Sequence, residues 1–204
     1  KSGDGEYYLV NGAKMFITQA HLADYIYTML RTTKSPAKKT QGISCLMIPT
    51  NVDGISIGEI EKLGQKSTAF CEIRFDDVKV PGQHLLGEEG KGWQQMLPLL
   101  NGERTCFAAV CLGIARAAFE DALAYMEQRT AFGKTINHFQ ILQHYVAEMK
   151  TAMDASRLLI YKAAWLETMG RPVGFEATEA FMFAADMVSR VTDLGLQIMG
   201  GYGY

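Results

Sequence analysis

The sequence predicts an α+β protein in which a small β-barrel or sandwich over residues 1–85 is followed by an antiparallel helical bundle over residues 86–204. Two observations carry that prediction. Up to about residue 80 the chain consists of short apolar runs separated by turns rich in Gly, Pro, Asn or Asp. After Val80-Pro81 the apolar residues recur every three or four positions, the period of a helix with one buried face. The boundary between the two parts falls within residues 81–92.

The first two strands are residues 7–10 and 13–18, joined as a hairpin through Asn11-Gly12, because Asn-Gly readily adopts the left-handed turn of a two-residue loop. Further strands follow at residues 25–31, 43–48, 55–60 and 71–75. Thr32 to Gln41, with Lys34, Pro36, Lys38 and Lys39, reads as an exposed connection. Residues 63–68 turn the chain, and residues 75–81 provide a strand and an exit that ends in Pro81. From Gly92 onward, Phe107, Val110, Cys111, Ile114, Ala118, Ala122 and Tyr125 mark the apolar face of a first helix, which Pro98 is expected to kink. A second helix over residues 139–169 stops at Gly170-Arg171-Pro172, and a third over residues 175–199 stops at Gly200-Gly201. Short turns between long helices imply antiparallel neighbours.

Composition narrows the function. A hydrophobic content of 48% over 204 residues is enough for a substantial core. A formal charge of −2, with acidic and basic residues mixed, gives no electrostatic reason to expect nucleic acid or an anionic membrane surface. Cys45, Cys71, Cys106 and Cys111 show neither CxxC spacing nor His-rich surroundings, so no metal is expected. They read as free, mostly buried thiols of a reducing compartment. No apolar run reaches the length of a membrane span, and Lys1 to Glu6 lack the apolar region of a signal peptide. The chain starts without Met and enters a strand almost at once, which reads as a piece of a longer polypeptide.

The segment with the most chemistry is Arg129-Thr130-Ala131-Phe132-Gly133-Lys134, followed by Ile136 and Gln140. Arg offers forked donors to phosphate oxygens while Phe packs against a ring, so this junction suits an anionic, partly aromatic cofactor. Taken alone, the segment reads first as an ordinary helix terminus, and the motifs elsewhere in the chain raise the cofactor reading. Asn101-Gly102-Glu103-Arg104 places a carboxylate beside a guanidinium, either a solvated surface pair or a general base next to an anion contact. Gln197-Ile198-Met199-Gly200-Gly201-Tyr202-Gly203-Tyr204 closes a helix with more glycines than capping requires, which lets a ligand or backbone approach closely. Phe16-Ile17-Thr18 ends a strand with a ring, an apolar residue and a hydroxyl.

In order and spacing, the segments NGAKMFIT (11–18), EKLGQKST (61–68), FDDVKVP (75–81), LLGEEGKGW (85–93), NGER (101–104), RTAFGK (129–134) with Gln140, and QIMGGYGY (197–204) resemble the acyl-CoA dehydrogenase family over essentially the whole chain. The resemblance implies the family's middle β domain plus most of its four-helix C-terminal domain, without the N-terminal helices. It implies FAD, an acyl-CoA substrate oxidised to the 2,3-enoyl-CoA, electrons passed to an electron-transfer flavoprotein, and a homo-oligomer, expected as a tetramer. An acyl-CoA oxidase or flavin monooxygenase of the same superfamily, or a non-catalytic CoA-binding paralogue, is the alternative. The compartment would be the cytoplasm of a bacterium or the mitochondrial matrix of a eukaryote.

By the same resemblance, Phe16, Ile17 and Thr18 lie along the flavin ring, with the Thr18 hydroxyl near its reactive edge. Arg129, Phe132, Gln140 and Gln197, Ile198, Met199, Gly200 and Gly201 reach FAD held chiefly by a neighbouring subunit. Asn101, Gly102, Glu103 and Arg104 contact the CoA part of the substrate. Glu103 matches the base of isovaleryl-CoA and long-chain acyl-CoA dehydrogenases. In most of the family the base is a Glu beyond the GGYGY segment, past Tyr204, which leaves Glu103 between catalytic and structural or CoA-contacting roles. Phe70 stands where the family often has a second Thr, so local substrate contacts differ. Residues 1–204 alone are expected to lack activity.

Overall fold

In the computed structural model, residues 1–3, 5–34 and 37–204 are described, so Pro36 of the expected exposed connection lies outside the described residues. The chain divides into two compact units, residues 1–96 and 97–204.

In the first unit β1 (Tyr7–Thr18), β4 (Ile55–Ile60) and β5 (Phe70–Pro81) form an antiparallel sheet in the order β1-β5-β4. A second antiparallel sheet has the order β2-β3-β6, from β2 (Tyr25–Arg31), β3 (Ile43–Pro49) and the two-residue β6 (Leu85–Leu86). Alternation along the strands sends one set of side chains inward. Tyr8 and Val10 of β1, Ile26 of β2, Leu46 and Ile48 of β3, and Cys71, Ile73, Phe75, Val78 and Val80 of β5 meet in one core. Two open sheets sharing one core make a sandwich, and the alternative of a closed barrel is not realised.

The expected hairpin at Asn11-Gly12 is also not formed. Residues 7–18 are one strand, and Asn11 sits opposite a bulge of β5, where Val10 pairs with Val78 and Gly12 with Phe75. The Asn11 amide donates to Asp77 Oδ1 at 2.9 Å, and Asn11 Oδ1 accepts from the Asp77 backbone N–H at 2.9 Å. That exchange holds Asp77 at φ +48°, and Gly12 supplies a φ of +134° without a side chain to clash. The dipeptide therefore serves a register slip inside a long strand. Because the slip preserves burial of Val78 and Val80, β5 continues to Pro81, well past the expected end at residue 75.

The second unit contains most of α1 (Gly92–Gln128), a small hairpin of β7 (Thr130–Ala131) and β8 (Lys134–Thr135), α2 (Gln140–Thr168), α3 (Gly174–Met199) and a 3-10 turn over Gly200–Gly203. Pro98 lies inside α1. α2 ends in the expected glycine stop: Gly170, at φ +67°, donates its N–H to Glu167 O, and Arg171 donates to Leu166 O. Ion pairs Glu148–Arg190 and Lys162–Glu179 run in opposite chain directions, so α2 and α3 are antiparallel. Phe107 meets Phe181, Ala118 meets Gly195 and Tyr125 meets Tyr202, partners that advance together along both helices, so α1 and α3 are parallel. This is the up-down-up path that short turns impose. Buried Ala108, Ala163, Ala180 and Ala184 form one core cluster, and Met126, Met149, Met153 and Met187 pack with Ala115 and Ala122 in another. Of the four free thiols, Cys45 and Cys71 are buried, whereas Cys106 is exposed on α1, contrary to the burial expected from its apolar neighbours.

Candidate functional site

Where α1 ends, the turn after it and the end of α3 enclose a cleft of about 480 Å³ within the second unit. It brings together Arg129 and Phe132 from one segment and Gln197, Ile198, Met199, Gly200 and Gly201 from another, more than sixty positions away in the chain. Gln140 is exposed at the first position of α2, beside the cleft-lining Phe139.

Each wall has a local cause. The Arg129 N–H closes the last turn of α1 on Tyr125 O, and its carbonyl accepts from the Ile136 N–H, which pins the β7–β8 hairpin to the helix end. Phe132 and Gly133 form the two-residue hairpin loop with φ of +52° and +78°, the left-handed pair such a loop requires. This leaves the Phe132 ring 95% exposed, edge-on to Phe139 at 6.2 Å. An aromatic side chain held outward at a left-handed position is costly and unusual for a packing residue. The Arg129 guanidinium lies 5.8 Å from the Tyr202 ring centre, and that ring lies 6.2 Å from Tyr125.

Arg129 is the one charged side chain lining the cleft among the described residues. At Gly200 and Gly201 an added Cβ would meet nothing within 4 Å, so the backbone there is open to an incoming molecule. A fixed cation, four aromatic rings and bare backbone suit a ligand that carries both phosphate and a ring system. Tyr125, Ile136, Phe139, Leu142 and Tyr202 also line the cleft and were absent from the expected set. Tyr125 stands four residues before Arg129, one helical turn away, so helix periodicity pointed to it.

The first unit presents Phe16, Ile17 and Thr18 at the end of β1. Lys14 pairs with Ile73 and Ile17 with Cys71, so Met15 and Phe16 oppose Glu72 alone in a bulge. Phe16 has φ +62° and is 64% exposed, Gln19 has φ +59°, and Ile17 between them packs into the core. Thr18 pairs with Phe70 and is exposed.

Asn101 to Arg104 form one turn of α1. Arg104 donates to Asn101 Oδ1 at 3.1 Å, so the expected pairing with Glu103 is not formed; side chains adjacent in sequence diverge around a helix, whereas those three apart share a face. Glu103 is exposed and heads an apolar stripe of exposed Phe107, Val110 and Ile114. At about 1.5 Å of rise per residue, Glu103 lies roughly 39 Å along α1 from Arg129. That span exceeds the length of an extended dinucleotide.

Among the described residues no group of three or more His, Cys, Asp or Glu side chains is placed to hold a metal ion, and no helix is long and apolar enough to cross a membrane.

The fold is that of a two-unit α+β protein, and the cleft in its second unit is lined by one guanidinium, aromatic rings and bare glycine backbone. Residues 1–78 match the acyl-CoA dehydrogenase middle domain, and residues 90–204 match the acyl-CoA dehydrogenase C-terminal domain. The chain is 40% identical over 202 residues to a short-chain specific acyl-CoA dehydrogenase of Clostridium acetobutylicum, covering 98% of this chain and 53% of that protein. It is 37% identical to subunit CarC of the caffeyl-CoA reductase-Etf complex of Acetobacterium woodii, covering 98% of this chain and 52% of that one. The structure of butyryl-CoA dehydrogenase from Megasphaera elsdenii superimposes with a TM-score of 0.94 at 40% identity, covering 100% of this chain and 53% of that one. The chain belongs to the acyl-CoA dehydrogenase family, and it spans about half the length of the relatives it matches.

Proposed function

We propose that the protein to which this chain belongs is an FAD-dependent acyl-CoA dehydrogenase that converts an acyl-CoA thioester to the 2,3-enoyl-CoA and passes the electrons to an electron-transfer flavoprotein. The observation that carries the reading is the cleft: the two segments expected to touch FAD, distant in sequence, line one cavity around a single guanidinium. Bound FAD would supply the ring that accepts the substrate's β-hydrogen as hydride. Glu103 would take the α-proton, since a carboxylate exposed at the head of an apolar stripe can meet an acyl chain. Phe16 and Ile17 would cover the ring and exclude water, and the Thr18 hydroxyl would donate a hydrogen bond at its edge. Asn101, Gly102 and Arg104 would contact the CoA portion.

The separation of Glu103 from Arg129 on one helix supports a shared site: the FAD gripped by Arg129, Phe132, Gln140 and Gln197 to Gly201 belongs to a neighbouring copy, in an assembly we read as a tetramer. The relative named as a subunit of an Etf complex supports electron-transfer flavoprotein as the partner. The compartment follows the host: cytoplasm in a bacterium, mitochondrial matrix in a eukaryote.

The full-length protein should purify with FAD and lose flavin absorbance anaerobically with an acyl-CoA of suitable length. Glu103→Gln should keep FAD and substrate binding but lose flavin reduction. Near-normal reduction in that variant would move the base elsewhere. A flavin that no acyl-CoA reduces would end the dehydrogenase reading, and oxygen consumption in turnover would favour an oxidase.

A further inference from the structure

His21 lies in a 3-10 turn, Ala20–Leu22, that follows the strand end carrying Phe16 to Thr18. Its contacts are specific. Nδ1 is 3.6 Å from the Cys71 thiol, and Nε2 is 3.9 Å from Glu59 Oε1. Cys71 is fully buried and pairs in register with Ile17 on one side and with Glu59 on the other. Ile17, Cys71 and Glu59 thus form one row across the three strands of the sheet, and the imidazole bridges two members of that row. The side chain is 30% exposed at the wall of a cleft of about 540 Å³, also lined by Gln19 and Glu59. The ring is thus partly open to solvent, and its two polar contacts add to the packing that orients it.

What these contacts restrain is the backbone before them. Phe16 and Gln19 are both left-handed without being glycine, a conformation that persists only where surroundings over-determine it. On the upstream side the β1–β5 ladder supplies the restraint. Downstream, Gln19 donates its N–H to Ala69 O at 3.0 Å, Ala20 is buried in the core, and the next polar side-chain anchor to the sheet is His21. We propose that His21 is a positioning residue for the flavin edge, its ring tying the 20–22 turn to Cys71 and Glu59 and so holding Phe16 to Gln19 in the conformation that presents Phe16 and Thr18. This rests on the reading that Phe16 to Thr18 face the flavin.

The test uses the full-length holoprotein with His21→Ala, Glu59→Gln and His21→Asn, whose amide stands in for Nδ1 at Cys71. His21→Ala should weaken FAD binding by about three- to tenfold, the range of one lost hydrogen bond, and change the visible circular dichroism of the bound flavin. Glu59→Gln should do the same more weakly, and His21→Asn should recover part of both. Hydrogen exchange of amides 15–20 in the FAD-free protein should accelerate in His21→Ala. Unchanged affinity, dichroism and exchange in both His21→Ala and Glu59→Gln would overturn the proposal. If His21→Ala does not fold, Glu59→Gln decides by the same three readouts. If the wild-type protein binds no FAD, the flavin reading fails, and the amide exchange still decides whether His21 holds the segment.

Discussion

Gly203 offers a perturbation whose size follows from the coordinates. A Cβ built there would lie 2.5 Å from the Leu196 carbonyl oxygen, 3.0 Å from its Cα and 3.1 Å from its carbonyl carbon. These are backbone atoms of α3, which cannot rotate away, and the closest falls roughly an ångström short of an ordinary contact. Gly203→Ala must therefore push the Gly200–Gly203 turn off the helix end, at an overpacking cost of about 1–3 kcal/mol. That turn carries Gly200, Gly201 and Tyr202, the wall that faces Arg129. If the displacement appears in cofactor affinity, FAD binding weakens by about five- to 150-fold. The matched control is Gly201→Ala, where an added Cβ meets nothing within 4 Å and the backbone is not left-handed. In the FAD-free full-length protein, Gly203→Ala should lower the thermal midpoint while Gly201→Ala leaves it alone. In the FAD-loaded protein both should lose affinity, the second only because its methyl enters the cleft. An unchanged midpoint in Gly203→Ala would refute the steric reasoning, and unchanged FAD affinity in both variants would remove this wall from the cofactor site.

Three further predictions follow from charge. The Arg190 guanidinium, 2.7 Å from Glu148 and hydrogen-bonded to it, holds that carboxyl below its usual range, so the pair's contribution is present above the ordinary carboxylate pKa and is lost as pH falls through the lowered native value. Both groups are solvent-exposed, so urea titrations should show a small acid loss that added salt weakens and Arg190→Gln removes. Arg129→Gln should cut FAD affinity by about ten- to 150-fold, the cost of a hydrogen bond to a charged group. Because Glu103 and Arg129 of one copy would serve different sites, mixed oligomers of Glu103→Gln and Arg129→Gln subunits should regain activity that neither homo-oligomer has. Mixtures without regain would place both residues in one site.

The strands and helices were legible because alternation and helical spacing report burial directly, and the glycine stop at Gly170 carried its own signal. Asn11-Gly12 misled because the same left-handed tolerance serves a turn or a bulge, and only the distant Asp77 decides between them. Closure of the sheet was equally unreadable, since it depends on how edge strands pair and not on which face is apolar. At the candidate site, the two segments proposed to touch the cofactor were visible as motifs, but their meeting depended on α1 and α3 running parallel. The partner of Arg104 was decidable from helix geometry: Asn101, three residues back, shares its face, whereas Glu103 does not.

The distribution of strain supports where function has been placed. Five non-glycine residues among those described adopt left-handed conformations: Phe16, Gln19, Gln65, Asp77 and Phe132. Asp77 is explained by its paired hydrogen bonds to Asn11 at the bulge. Gln65 heads a tight turn in which its carbonyl accepts from the Thr68 N–H and from Lys62 Nζ, between residues that line the His21 cleft. Phe16 sits in the β1 bulge and Phe132 at the first position of a two-residue hairpin loop, and both present a large ring outward, 64% and 95% exposed, so burial does not offset the conformational cost. Left-handed non-glycine residues that expose a large side chain cluster at ligand clamps and active sites. One exposed ring stands at the bulged strand end and the other at the rim of the Arg129 cleft. These are the two segments for which we propose cofactor roles, one to cover a flavin ring and one to grip phosphates beside an aromatic wall.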